Sequence, residues 1–460
     1  MSVLSALTDN KIHTFEQAFN VKDITSHDMQ NAIRSWFAMY FDGGNPPEED
    51  DCQRLPVMIV NKLNKTIFSE YETSVDGEGD KAVFMQTVLD QLNDVHKEAA
   101  QQMLVGGTCL IKPVLTQDGF IFSVVRRDCF IPLSRSIDGR LTSVGTAEST
   151  TVDGKYYTLL ERRTVSQGKL TIESRLYISD TRSTIGTQVP LSTLPQYTDL
   201  QPSFELPIDS IGMVALQTPM LNCVDGSKDG ISVYAPAVSL IRNINRNERL
   251  LDDEFERGQS RIIASADFLN RDENGRKRLE ANVFTAIDDD PELVGITIFS
   301  PALREASYLA RKQEYLRNIE SLIGFKRGIL SEVEAAERTA TEITSSAGDY
   351  NLTIQDFQQA WADAVRETLV LCDTLGQIYH LCDSAKFDPE SVVIDWGDGV
   401  LFNRDKVWAE YSSMVAAGLL KPELALAWYF SLPHETPDDI AKIRADYMPE
   451  MEQLVNGGDE

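Results

Sequence analysis

Gly324-Phe-Lys-Arg-Gly-Ile-Leu-Ser-Glu-Val-Glu-Ala-Ala-Glu-Arg338 runs directly into Thr339-Ala-Thr-Glu-Ile-Thr-Ser-Ser346. The first part is polar and starts on glycine, which reads as a loop. The second opens a helix. Thr339 with Glu342 three residues later is a capping box, in which each side chain satisfies a backbone N–H that the first turn leaves unpaired. Beyond it, Ile354, Phe357, Trp361, Val365, Leu369, Cys372, Leu375 and Tyr379 recur at steps of three or four. That spacing is one buried stripe along a long helix. A loop hung between two long helices is unusual in an enzyme domain. It is intelligible if the helices are a rigid frame and the loop is the working part.

Two more long helices are expected upstream. Gly230-Ile-Ser-Val-Tyr-Ala-Pro236 opens one over 236–257, with Ile241, Ile244, Leu251 and Phe255 on its stripe and Glu248 interrupting it. Its other faces carry Arg242, Arg246, Arg249, Asp252, Asp253, Glu256 and Arg257, which reads as a solvated face or a set of ion pairs. Pro301 at the first helical position opens the other, running to about Ile323, with Leu309, Leu316, Ile319 and Ile323 on one face. Each would be about 33 Å long. Between them the pattern predicts a strand at Arg261–Ser265, a loop at Asn270–Gly275, a small helix over 276–283, an acidic loop at Asp288-Asp-Asp-Pro291 and a strand at Val294–Phe299. The two stripes are too narrow and too broken by charge for the core of a monomer. They suit a ring in which neighbouring copies pack side by side.

The rest of the chain divides by periodicity. Residues 1–100 read mostly helical, over His27–Tyr40, Leu55–Phe68 and about Ala82–Val105, the last stopping at Gly106-Gly107. From Thr108 the period falls to two, giving an antiparallel meander with a hairpin turn at Asp138-Gly139. The body is therefore α+β. After Cys382 a strand and turn span 386–402, and helices follow over 405–417, 422–430 and 436–445.

Composition excludes much. The net charge of −28 is the wrong sign for static DNA binding, where Lys and Arg replace counterions on phosphate. If such a protein meets DNA, it should confine or pass it rather than grip it; the alternative reading of the charge is a solubility device. No phosphate loop, dinucleotide glycine motif, zincin motif or nucleophile elbow is present. The five histidines are scattered singly and the six cysteines form no C-x-x-C pair, so no metal centre, cofactor or catalytic group is expected. Polar residues within the first ten positions and the absence of an apolar run near ~20 residues argue against a leader or a membrane span, and reduced thiols are expected.

Three stretches in succession carry a resemblance. They are Gly230-Ile-Ser-Val-Tyr-Ala235, then Arg246-Asn-Glu-Arg-Leu-Leu-Asp-Asp-Glu-Phe-Glu-Arg-Gly-Gln-Ser-Arg-Ile-Ile263, and Thr339-Ala-Thr-Glu-Ile343. Earlier segments agree in order: Trp36 to Gly43, Asn61-Lys-Leu-Asn-Lys65, Gly106-Gly-Thr-Cys-Leu-Ile-Lys-Pro113 and Asp128-Cys-Phe-Ile-Pro-Leu133. Over about residues 30–430 the chain resembles portal proteins of tailed double-stranded DNA bacteriophages.

The resemblance implies a dodecameric ring at one capsid vertex, through which the genome is packaged and ejected. It implies the portal fold: a wing over 1–235 and 339–402, a stem over 236–258 and 301–323, a clip over 259–300, a tunnel loop over 324–338 and a helical crown over 403–460. Lys326, Arg327, Ser331 and Arg338 would face DNA, and Arg271, Asp288, Asp289 and Asp290 would meet partners at the clip. The implied partners are further copies of the chain, the terminase large subunit, a head-completion adaptor protein, and the major capsid and scaffolding proteins. The implied locations are the virion's portal vertex and, during assembly, the host cytoplasm. The alternative is a head–tail connector ring with a purely structural role.

Overall fold

The period-two segments close into sheets because each presents one apolar face to a helix or to another sheet. The computed structural model describes residues 3–4, 7, 9–41, 52–116, 119–181, 184–258, 261–264, 269–271, 277–279, 296–299, 302–332, 340–397, 404–430, 432 and 437–448. Its strands before the long helices are Val3–Leu4 (β1), Glu72–Val75 (β2), Thr108–Thr116 (β3), Gly119–Val125 (β4), Phe130–Arg135 (β5), Leu141–Val152 (β6), Lys155–Ser166 (β7), Lys169–Ser179 (β8), Thr187–Val189 (β9), Ser203–Leu206 (β10) and Val214–Gln217 (β11).

These strands do not make one meander. One seven-stranded antiparallel sheet has the order β1-β6-β7-β8-β10, with β5 beside β6 and β9 beside β8, while β11-β3-β4 forms a separate sheet. The break falls at Arg127–Cys129, a single 3₁₀ turn between β4 and β5. Two tight hairpins set the register of the large sheet. Asp153-Gly154 and Gln167-Gly168 all take positive φ, the geometry of turns whose twist matches the flanking strands. Phe15 and Phe19 of the helix Asp9–Phe19 pack with Ile131, Ala147, Leu160 and Tyr177 on one face. Leu110, Val125, Phe130, Val144, Ile211 and Met213 form a second cluster that joins strands of both sheets.

The helices before Thr108 are His27–Phe41, Leu55–Ile67, Asp80–Asn93 and His96–Gly106. The last two were expected as one. They separate because Val95 leaves helical geometry (φ −106°, ψ 1°) and the His96 ring donates to the Asn93 carbonyl, closing the end of the first. At the far end, Gly107 (φ +80°) caps His96–Gly106 by donating its N–H to the Met103 carbonyl at 2.7 Å.

Downstream, the helix Ala340–Ile378 has 39 residues, hence about 58 Å. Ile354, Phe357, Trp361, Val365, Leu369 and Cys372 are buried, with Trp361 set edge-on to Phe68 at 5.7 Å, whereas Tyr379 at the end of the stripe is exposed. The helix ends at Ile378, and His380 just beyond it turns to φ +58°. Thr339 and the side chain of Glu342 lie outside the described residues, and with them the capping box.

Two compact units divide the chain, one over 1–68 and 73–394, the other over 69–72 and 395–460. The second contains the helices Arg404–Ala416, Pro422–Phe430 and Pro437–Tyr447, in near agreement with the sequence expectation. Aromatic pairs hold them: Trp408 with Tyr429, Tyr411 with Trp428, and Phe430 with Tyr447. Glu423, buried, is bound by the Arg444 guanidinium, whose hydrogen bonds hold its carboxyl below the usual range.

Candidate functional site

The loop singled out by the sequence hangs from an antiparallel pair of helices, Val238–Arg257 and Glu305–Leu322. The first grows from a knot of buried polar contacts. Asp229 receives Arg135 at 2.5 Å and Arg127 at 3.5 Å, and Arg127 also donates to Thr25 Oγ1 and to the Phe130 carbonyl, both at 3.1 Å. One residue on, Gly230 crosses Gly107 so closely that a Cβ on Gly107 would lie 2.3 Å from the Gly230 carbonyl oxygen, and one on Gly230 would lie 2.2 Å from that of Gly107. Only glycine fits at such a crossing. Then Val233 N and Ser232 Oγ donate to the Leu104 carbonyl at 2.9 and 3.1 Å, and Tyr234 Oη donates to the Trp36 carbonyl at 2.8 Å. Two segments more than a hundred residues apart, Gly106-Gly107 and Gly230–Tyr234, are therefore one structural unit. It is the root of the first long helix.

Burial along the pair is uneven. Ile241, Ile244 and Asn247 are buried near the root of the first helix, and Leu316, Ile319 and Glu320 at the matching end of the second. Towards the opposite end, Leu250 (43% exposed), Phe255 (43%), Leu303 (39%) and Leu309 (50%) remain open. Polar bridges align the pair there. Asn247 donates to the Tyr308 carbonyl at 3.1 Å, and Lys312 pairs with Glu248 at 3.0 Å. Glu248, the charge that broke the stripe, thus faces a cation on the neighbouring helix.

At the outer end Arg304 clamps Glu254 through its side chain (2.7 Å) and its backbone N–H (2.8 Å), and these bonds hold the Glu254 carboxyl down to about 2. The same clamp explains a difference in boundary. Residues 302–304 stay outside the second helix, which begins at Glu305 rather than at Pro301, because the Arg304 N–H is bonded across to Glu254. A cleft of about 430 Å³ opens here, lined by Leu250, Leu303 and Tyr308 among others.

Between the two helices, Arg261–Ala264 pairs with Ile296–Phe299, and Leu269–Arg271 with Lys277–Leu279. The helix expected over 276–283 is contradicted by the strand at Lys277–Leu279. Its charged residues favour helix locally, but pairing with the strand just upstream, Leu269–Arg271, decides. Arg271 sits opposite Lys277 in this ladder. Asp288, Asp289 and Asp290 lie outside the described residues, as does Arg338.

Of the loop, Lys326 is half-buried and Arg327 exposed. Ser331 is buried, and its hydroxyl donates to Glu320 Oε2 at 2.7 Å. Sequence reasoning passed over Glu320. The available signal was an acid four residues after Leu316 and next to Ile319, on the apolar side of the helix.

With this geometry in place, one comparison decides the family. The family model described as "Phage portal protein, SPP1 Gp6-like" matches residues 54–450. The chain belongs to this portal protein family. Comparison with curated proteins gives no match. Portal proteins are structural, capsid-associated components of bacteriophage genome packaging, and the family is a non-enzymatic one.

Among the described residues no group of three or more His, Cys, Asp or Glu is placed to hold a metal, and no helix is long and apolar enough to cross a membrane. All six cysteines are free. Burial pushes the Cys109 and Cys372 thiols up and the Cys129 thiol up to about 12, which leaves them poor nucleophiles.

Proposed function

We propose that twelve copies of this chain form the portal ring of a tailed phage, the channel by which double-stranded DNA enters and leaves the capsid. The observation that carries this reading is the helix pair. It is rooted in a polar knot at one end, yet leaves Leu250, Phe255, Leu303 and Leu309 uncovered at the other. Packing of the pair against the same pair in neighbouring copies buries those residues and closes a ring.

In this reading residues 236–258 and 301–323 are the stem, 259–300 the clip, 324–338 the tunnel loop, 403–460 the crown, and 1–235 with 339–402 the wing. Lys326 and Arg327 supply transient contact with phosphates in a channel that the net charge of −28 per chain otherwise makes repulsive. Arg271 and Asp288–Asp290 belong to the clip, which docks the terminase large subunit during packaging and a head-completion adaptor afterwards. The wing and crown meet the capsid and scaffolding proteins. ATP hydrolysis lies with the motor. Assembly in the host cytoplasm precedes incorporation at the virion's portal vertex.

Sedimentation of the purified protein tests the assembly. A single large species of ring mass is the expected outcome. A monodisperse monomer across all salt concentrations contradicts it.

A further inference from the structure

We propose that Glu320 is the positioning residue of the tunnel loop, the carboxylate that fixes where Lys326 and Arg327 stand relative to the stem. The inference rests on the portal reading for its consequence, but the clamp itself is observed directly. Glu320 lies in the last turn of Glu305–Leu322 and is 0% exposed. Its Oε1 accepts from Gly328 N (3.2 Å), Leu330 N (2.5 Å) and Ser331 N (2.9 Å), and its Oε2 accepts from Ser331 Oγ (2.7 Å). Its backbone carbonyl accepts from Phe325 N at 2.8 Å. About two turns earlier, Gln313 Oε1 accepts from Glu332 N at 2.8 Å.

A carboxylate is costly to bury unless its oxygens are hydrogen-bonded, and successive backbone N–H groups curled around one oxygen form an anion nest. Here the nest is made by the loop and the anion by the helix. Residues 325–332 are therefore folded back onto the helix rather than trailing from it. Phe325 closes the other side, buried and edge-on to Tyr350 of the long helix at 5.9 Å. Lys326 and Arg327 lie between these two fixed points, on a closed turn in which Ile329 N donates to the Lys326 carbonyl at 3.3 Å. Without the clamp, three backbone N–H groups and a hydroxyl lose their acceptor together, and the turn opens.

The experiment compares Glu320→Ala and Glu320→Gln with the wild type in assembled rings. Glutamine keeps a carbonyl oxygen for the three N–H groups, and its amide can donate to Ser331 Oγ, so it should preserve the clamp. Two readouts are taken: the rate of trypsin cleavage after Lys326 and Arg327, and the DNA retained per particle. Glu320→Ala should be cleaved roughly tenfold faster or more, with ring mass unchanged and DNA retention reduced several-fold. Glu320→Gln should stay near wild type in both.

Unchanged cleavage in Glu320→Ala overturns the clamp. Faster cleavage with full DNA retention overturns the positioning role. Should Glu320→Ala fail to assemble, Glu320→Asp, which retracts the carboxylate by one methylene, takes its place with the same expected direction of change. Deletion of residues 326–336 separates the two levels. If that deletion packages normally, the tunnel-loop reading fails, while the trypsin comparison still decides the clamp.

Discussion

Deleting residues 326–336 is expected to leave rings intact and to reduce packaged or retained DNA to near background. Rings survive because, among the described residues of the deleted segment, none bridges the two helices. The pair is bridged by Asn247–Tyr308, Glu248–Lys312 and Glu254–Arg304, and packed by Ile241, Ile244, Leu316 and Ile319. Glu320 loses its loop donors, but the same deletion removes what shields it, so water reaches the carboxylate instead of stranding it. Retention fails because the basic residues nearest the stem, Lys326 and Arg327, go with the loop. Sedimentation checks the rings, and the DNA content of purified particles checks the function. Wild-type DNA content in the deletion would remove the loop from the account.

The largest effect on stability is expected at Asp229. Asp229→Ala leaves Arg127, 4% exposed, and Arg135 without their shared carboxylate. Burial already pushes the Arg127 guanidinium below its usual pKa, against the pull of Asp229 and Asp23. Removing one partner of a buried ion pair typically costs about 3–5 kcal/mol, since the remaining charge cannot return to water, and here only Asp23 is left to offset it. Thr25 and the Phe130 carbonyl still accept from Arg127, but neither carries a countercharge. The loss should fall first on the root of the first long helix, because Asp229 immediately precedes the Gly230–Gly107 crossing. Denaturant unfolding measures it as a lowered midpoint. Asp229→Asn, which keeps the shape and one acceptor, should lose less. A change below about 1 kcal/mol in Asp229→Ala would show that the knot is not what roots the helix.

What the chain discloses on its own follows from the range of the interactions. The stripe from Ile354 to Cys372, the alternation of β3 to β8 and the stop at Gly107 are local patterns, and they appear where the spacing places them. The differences come from pairings that periodicity alone does not register, whether the partner is near in sequence or far. Lys277–Leu279 is a strand because Leu269–Arg271 lies beside it. The second long helix starts at Glu305 because Glu254, fifty residues earlier, takes the Arg304 N–H.

The same holds at the site. A loop between helices was legible, as were Lys326 and Arg327 within it. That Ser331 is tied inward to Glu320 was not, since a buried carboxylate on an apolar stripe reads only as an interruption until its donors are known. Glu248 was read in the same way, and it too has a partner on the facing helix.

Electron microscopy of the purified, assembled protein is the most direct test of the central claim. The account predicts a closed ring in which Val238–Arg257 and Glu305–Leu322 of every copy line the channel, with Leu250, Phe255, Leu303 and Leu309 covered by a neighbour and Lys326 and Arg327 nearest the axis. A ring with the helix pair on its outer rim and those four residues still in solvent, or no ring at all, would contradict it.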